Sequence, residues 1–167
     1  AGEVRLMVSA HLDEVGLVVS RIEADGYVRL LRIGGIPERV LPGLRVRFLG
    51  RHGAVSGVIG LKAHHLTQAH EKYVAKPTEE LYADLGLTTA AEVRASGVEV
   101  GTRVTYEPSW TELGDDRVAT KGLDNRLGVV ALVELAKRLR ERPLDQGVVI
   151  AFTTQEEFHV RGTLALT

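Results

Sequence analysis

The chain has 167 residues, 44% hydrophobic and 26% charged, with a formal net charge of −1 and no cysteine. That balance is ordinary for a folded globular protein and excludes wholesale disorder, and the length suits one domain or two small ones. Near-neutral charge gives no field to draw nucleic acid or acidic lipid, and without thiols any metal must be held by imidazole and carboxylate.

The first predicted element is the apolar run Val4-Arg5-Leu6-Met7-Val8-Ser9, a strand that stops at the acidic island His11-Leu12-Asp13-Glu14. From about Leu17 to Tyr106 the texture changes to short strands divided by glycine: Leu17–Val19, Tyr27–Leu31, Arg45–Leu49, Ala54–Ile59 and Arg103–Tyr106. Asp25-Gly26, Gly34-Gly35 and Pro42-Gly43 supply turns between them, and strands so closely spaced predict a small closed or half-open β-barrel. Pro77–Leu85 reads as a short helix or turn. Thr89–Ser96 reads as a helix, with Thr89 as cap, Glu92 completing a capping box and Gly97 ending it.

The closing third reads as α/β. A second island, Lys121-Gly122-Leu123-Asp124-Asn125-Arg126, precedes a helix predicted from Asn125 to Arg142. Its apolar stripe is read as Leu127, Val130, Ala131, Leu132, Leu135, Ala136 and Leu139, and Pro143 closes it. Val148–Phe152 is an unbroken apolar run, the mark of a parallel strand covered on both faces. It ends at the third island, Gln155-Glu156-Glu157. No apolar run is long enough to span a bilayer and no signal peptide is visible, so a cytoplasmic protein with no membrane partner is expected.

Each island has a plain and a chemical reading. His11 and Asp13, two apart, fall on one side of an extended strand, so the ring can ligate through one nitrogen while Asp13 steadies it; alternatively they are a strand-end His and a solvated Asp. Asp124 stands where a helix N-cap belongs, and it is either that cap or a ligand. Of the adjacent pair Glu156 and Glu157, one can ligate a cation while the other moves protons; alternatively the loop is merely acidic. Open α/β sheets place their sites at the carboxyl ends of strands, so the islands taken together favour a metal-dependent hydrolase.

Read in order, Ala10-His11-Leu12-Asp13-Glu14-Val15-Gly16, Lys121-Gly122-Leu123-Asp124-Asn125-Arg126-Leu127-Gly128 and Thr154-Gln155-Glu156-Glu157 with Arg161-Gly162-Thr163 resemble the tetrahedral (TET) aminopeptidase family, the glutamyl and deblocking aminopeptidases. Ile33-Gly34-Gly35, Gly57-Val58-Ile59-Gly60, His65-Leu66 and Asp84-Leu85-Gly86 extend the resemblance over nearly the whole chain. The resemblance implies an α/β fold, part of a doubly wound metallopeptidase domain, with an inserted small β-barrel domain. Residues 1–15 and 107–167 would form the partial catalytic domain, and 16–106 the barrel used in assembly.

The same resemblance implies two divalent metal ions per subunit, zinc or cobalt. His11 and Glu157 would each bind one metal, Asp124 would bridge both, Asp13 would orient His11, and Glu156 would be the general base. Implied partners are peptide substrates and further copies of the chain, a homo-oligomer (in the family a dodecamer) built through the barrel, with no nucleic acid. Two rival functions are a deacylase or carboxypeptidase on the same metal scaffold and a non-catalytic assembly module.

The family completes its site with a further Asp and His downstream, whereas this sequence stops ten residues after Glu157 and begins Ala1-Gly2-Glu3 without a methionine. The expectation is of a fragment truncated at both ends that by itself binds metal weakly and turns over little. Phe158-His159 stands where the family has a small apolar residue and glycine, making His159 either a substrate-pocket residue or a helix-start His of no consequence. His64 and His65, read as neighbours on extended chain, point to opposite sides and do not chelate together. His52 falls in a turn, His70 in a polar stretch, and Trp110 offers no base-stacking platform.

Overall fold

A computed structural model describes residues 4–166, so the features noted at Ala1-Gly2-Glu3 and at Thr167 lie outside the described residues. In chain order the elements are β1 (Val4–His11), β2 (Gly16–Ile22), β3 (Val28–Ile33), β4 (Arg45–Gly50), β5 (Gly53–Gly60), β6 (Tyr82–Asp84), α1 (Ala90–Ala95), β7 (Arg103–Tyr106), β8 (Trp110–Leu113), β9 (Arg117–Thr120), α2 (Leu123–Glu141), β10 (Gly147–Thr153) and α3 (Arg161–Leu164). They divide into two compact units, one of residues 1–14 with 109–167, the other of residues 15–108.

The second unit is a closed antiparallel barrel in the order β2-β3-β6-β5-β4-β7. Alternation along its strands sends Leu17 and Val19, Val28 and Leu30, Val46 and Phe48 inward, each no more than 1% exposed. Closure leaves no sheet edge, and the apolar interior is the main source of the unit's stability. The helix expected after Thr88 is α1: Thr89 Oγ1 accepts the Glu92 N–H at 3.2 Å, Glu92 Oε2 accepts the Thr89 N–H at 3.1 Å, and Val93 is buried. Gly97, with φ of 90°, follows the helix end.

Residues 77–85 differ from the expected short helix or turn. A single 3-10 turn, Thr78–Glu80, leads directly into β6. Ala83 pairs with Val28 of β3 on one side and with Ile59 of β5 on the other, so the strand is made by neighbours distant in sequence. Local propensity carries no trace of that pairing, although it is the link that closes the barrel. His64 and His65 also differ from expectation, lying exposed on a 3-10 turn, His64–Leu66, instead of on extended chain.

In the first unit β1 and β10 run parallel, in a register that brings Leu6 beside Val148 and His11 beside Thr153. Helix α2 packs on β1, and more lightly on β10. Its half-buried stripe is Asn125, Gly128, Val129, Leu132, Leu135, Ala136 and Leu139. Leu127, Val130 and Ala131, assigned to that stripe from sequence, are exposed. The helix carries apolar residues on more than one face, so periodicity alone did not choose between them. Among the described residues strand β10 is covered only in part: Ala151 and Thr153 are buried, while Val149 and Phe152, on opposite faces, are 37% and 43% exposed, so the full cover expected from its apolar run is not met. The exposed hairpin β8–β9 was not legible in the sequence because it has no buried face to impose alternation.

Candidate metal centre

The centre is built at the carboxyl ends of two adjacent parallel strands. Because His11 and Thr153 are in register, the loops leaving β1 and β10 emerge side by side, joined at once by the Leu12 N–H donating to the Thr153 carbonyl at 2.8 Å. The Asp13 carboxylate then accepts the backbone N–H of Glu156 at 3.2 Å and that of Glu157 at 3.3 Å. The acidic loop is therefore tied to the His11 loop through main-chain groups, leaving both glutamate side chains uncommitted by those bonds.

His11 is 6% exposed. Its Nδ1 lies 2.9 Å from the Asp13 main-chain carbonyl, to which it donates, while the nearest Asp13 carboxylate oxygen is 3.6 Å away. The backbone of Asp13, more than its side chain, sets the ring. With the Nδ1 proton assigned by that hydrogen bond, Nε2 of the neutral ring presents a lone pair. Nε2 faces Asp124 Oδ1 at 3.1 Å and Glu156 Oε2 at 3.6 Å. One donor atom each from His11, Glu156 and Glu157 lie within 4.8 Å of one another, the one such group of three among the described residues. Asp124 reaches His11 but is not a member of that group, and its side chain is 86% exposed.

Asp124 sits on an irregular entry to α2. Gly122 has φ of 76°, Asp124 and Asn125 have non-helical backbone, and the peptide between them is cis. The side chain that caps the helix is Asn125, whose Oδ1 accepts the Gly128 N–H at 3.1 Å. Capping thus falls to the residue after Asp124, which leaves the Asp124 carboxylate to face His11. Gly128 is required by close approach, because a Cβ there would stand 2.1 Å from Asn125 Oδ1 and 3.2 Å from Ala10 Cβ. Upstream, Lys121 Nζ pairs with the Glu14 carboxylate. Asn125, Lys121 and Glu14 carry no role predicted from sequence; a capping side chain three residues before Gly128 is the one signal that points to any of them.

Burial disfavours the charged form of His11, but the Asp13 carbonyl, the charge of Glu156 and the Asp124 carboxylate outweigh it and raise the ring's pKa above 6.5. Burial, followed by the charge of Glu156, raises the Glu157 carboxyl above 4.5, with His11 opposing. Carboxylate oxygens crowded on an imidazole lone pair are reconciled either by a proton or by a cation. Imidazole with carboxylates is a donor set suited to divalent transition metals, so the residues present fit such an ion. His159, of positive φ, precedes α3, is exposed and is not a member of this donor group. A cleft of about 690 Å³ in the barrel unit contains none of these donors, and two of its cations, Arg29 and Lys76, are paired with Glu23 and Glu71.

Residues 1–167 match the M42 glutamyl aminopeptidase family, and the chain belongs to that family. It is 38% identical over 159 residues to the SgcX protein of Escherichia coli (strain K12), covering 95% of this chain and 42% of that protein. The lysyl aminopeptidase of Pyrococcus furiosus is 33% identical over 159 residues, covering 95% of this chain and 45% of the relative. Among solved structures, the TET1 peptidase of Pyrococcus horikoshii, described as assembling into a tetrahedron or a large octahedral shell, superposes with a TM-score of 0.86 at 34% identity, over 99% of this chain and 50% of that one. The chain thus spans under half the length of these curated relatives. The resemblance to TET aminopeptidases and the fold class, α/β with a small β-barrel, agree with the expectation from sequence. No helix among the described residues is long and apolar enough to cross a membrane.

Proposed function

We propose that the protein carrying this chain is a metal-dependent aminopeptidase that removes N-terminal residues from peptides. The observation that supports this most strongly is the convergence of Asp124 Oδ1 at 3.1 Å and Glu156 Oε2 at 3.6 Å on the Nε2 of His11. His11, Asp124 and Glu157 would hold two divalent ions, zinc or cobalt, with Asp124 shared between them. Bound there, such ions supply Lewis acidity, polarising the scissile carbonyl and making water acidic enough to attack near neutral pH. Glu156 would take the proton from the attacking water at a carboxylate oxygen and pass it to the leaving amine nitrogen, a positioned-base effect worth about 10²–10⁴-fold. Asp13 would hold both glutamates in place by accepting their backbone N–H groups.

Assembly into a homo-oligomer through the barrel, a dodecamer as in the family, belongs to the same proposal. It is in keeping with a relative of this fold described as assembling into a tetrahedron or a large octahedral shell. A cytoplasmic setting is likewise part of the proposal. The test is hydrolysis of aminoacyl anilides set against N-acylated and C-terminal substrates, with Glu156→Gln as control. Cleavage confined to free amino termini and abolished by Glu156→Gln supports the proposal. Preference for acylated or C-terminal substrates would make the protein a deacylase or carboxypeptidase. Absence of turnover, with metal uptake unchanged in Asp124→Ala, would make it an assembly module.

A further inference from the structure

Asp124 meets His11 although little holds its side chain there. The carboxylate is 86% exposed, and its backbone (φ −85°, ψ 108°) has not yet entered the helix. The segment that carries it is held on both sides. At the downstream end that segment is fixed by the Asn125 cap on Gly128, at 3.1 Å. Immediately upstream, the Lys121 ammonium meets the Glu14 carboxylate.

We propose that the Lys121–Glu14 ion pair is a positioning clamp that holds residues 121–125 against the end of β1 and thereby presents Asp124 to His11. Three observations carry this. First, the pair is largely out of water, with side chains 19% and 25% exposed, unlike the surface pairs Lys137–Glu134 at 62% and 54% or Arg117–Asp116 at 81% and 85%. Pairs shielded in this way are screened less by salt and constrain more than exposed ones, which contribute little. Second, Glu14 belongs to the same strand-end loop as His11 and Asp13, so a bond to it references Asp124 to the loop that also carries His11 and ties down Glu156 and Glu157. Third, the backbone of Gly122 lies against Glu14, and a Cβ there would stand 3.1 Å from Glu14 Oε2. The approach therefore involves main chain as well as the lysine side chain.

The proposal makes Lys121 and Glu14 positioning residues acting through Asp124, and its consequence for metal uptake rests on the function proposed above. The test uses the metal-free protein first. In Lys121→Met, amides of residues 121–126 are expected to exchange at least about tenfold faster, with β1 and β10 protected as before. Titration with cobalt(II) is then expected to show binding weakened about 10- to 100-fold, the range seen when a group orienting ligands is lost. The exchanged pair, Lys121→Glu with Glu14→Lys, should restore both. Unchanged exchange at 121–126, or a loss of protection that spreads equally into β1 and β10, overturns the clamp. Should the unaltered protein take up no cobalt, the metal reading fails, while the exchange measurement still decides for or against the pair.

Discussion

Asp124 Oδ1 stands 3.1 Å from Nε2 of His11 across 113 positions of sequence. Neither atom carries a proton when the ring is neutral and its Nδ1 donates to the Asp13 carbonyl, so the contact asks for a proton or a cation between them. That requirement has consequences for stability, for the loops around the centre and for what the centre binds.

The metal-free protein should lose stability as pH rises through neutrality. His11 has a folded pKa above its ordinary 6.5, so its contribution is full below the unfolded value and disappears as pH climbs through the raised one. Glu157, also raised, acts in the same sense from above 4.5. The lowered carboxyls of Glu23, Glu71, Glu92 and Glu134 act oppositely but only on the acid side of 4.5, outside that window. Melting curves in chelator from about pH 6 to about pH 8 should show a falling Tm that His11→Gln flattens. Added zinc or cobalt should reverse the slope, because a cation requires the deprotonated groups.

Removing the acceptor beneath the acidic loop should cost both stability and metal. Asp13→Ala leaves the N–H groups of Glu156 and Glu157 without the carboxylate that now accepts them at 3.2 and 3.3 Å. Bonds to a charged acceptor are worth about 1.5–3 kcal/mol each, and loss of an orienting group weakens metal binding about 10- to 100-fold. Urea unfolding and calorimetric titration measure the two effects separately.

The entry to α2 should tolerate neither Asn125→Ala nor Gly128→Ala. Loss of the Asn125 cap is expected to cost about 0.5–2 kcal/mol. A methyl on Gly128 would collide with Asn125 Oδ1 at 2.1 Å and press on Ala10, an overpacking cost of about 1–3 kcal/mol. Since the two residues form one contact, the double variant should fall short of the sum in urea unfolding.

In the barrel, Phe48→Ala is expected to destabilise by about 3–5 kcal/mol, because the ring is fully buried and its loss leaves a void in the core it shares with Leu17, Leu30 and Val104. Chemical denaturation followed by far-ultraviolet circular dichroism reads it.

Much of this molecule could be read from residues alone, where one local rule sufficed. The glycine-punctuated strands, the Thr89–Glu92 capping box and the acidic islands at strand ends are of that kind. What escaped depended on distant partners. β6 is a strand only because β3 and β5 flank Ala83, and the burial stripe of α2 was set by β1 and β10 against a helix apolar on several sides. In the centre, the residues were legible but their bonds were not. Asp13 works on His11 through its carbonyl, its carboxylate goes to the glutamate backbone, and the cap next to Asp124 is Asn125. Spacing gives the side of a strand on which a residue falls; it does not say which of its atoms is used.

The most direct measurement is anomalous diffraction from crystals of the protein soaked in cobalt(II), collected at the cobalt edge. The expected result is two peaks, one at His11 Nε2 and one at the Glu157 carboxylate, each within reach of Asp124, and the first vanishes in His11→Ala. Peaks elsewhere on the molecule, with His11 and Asp124 still in direct contact, would contradict the account.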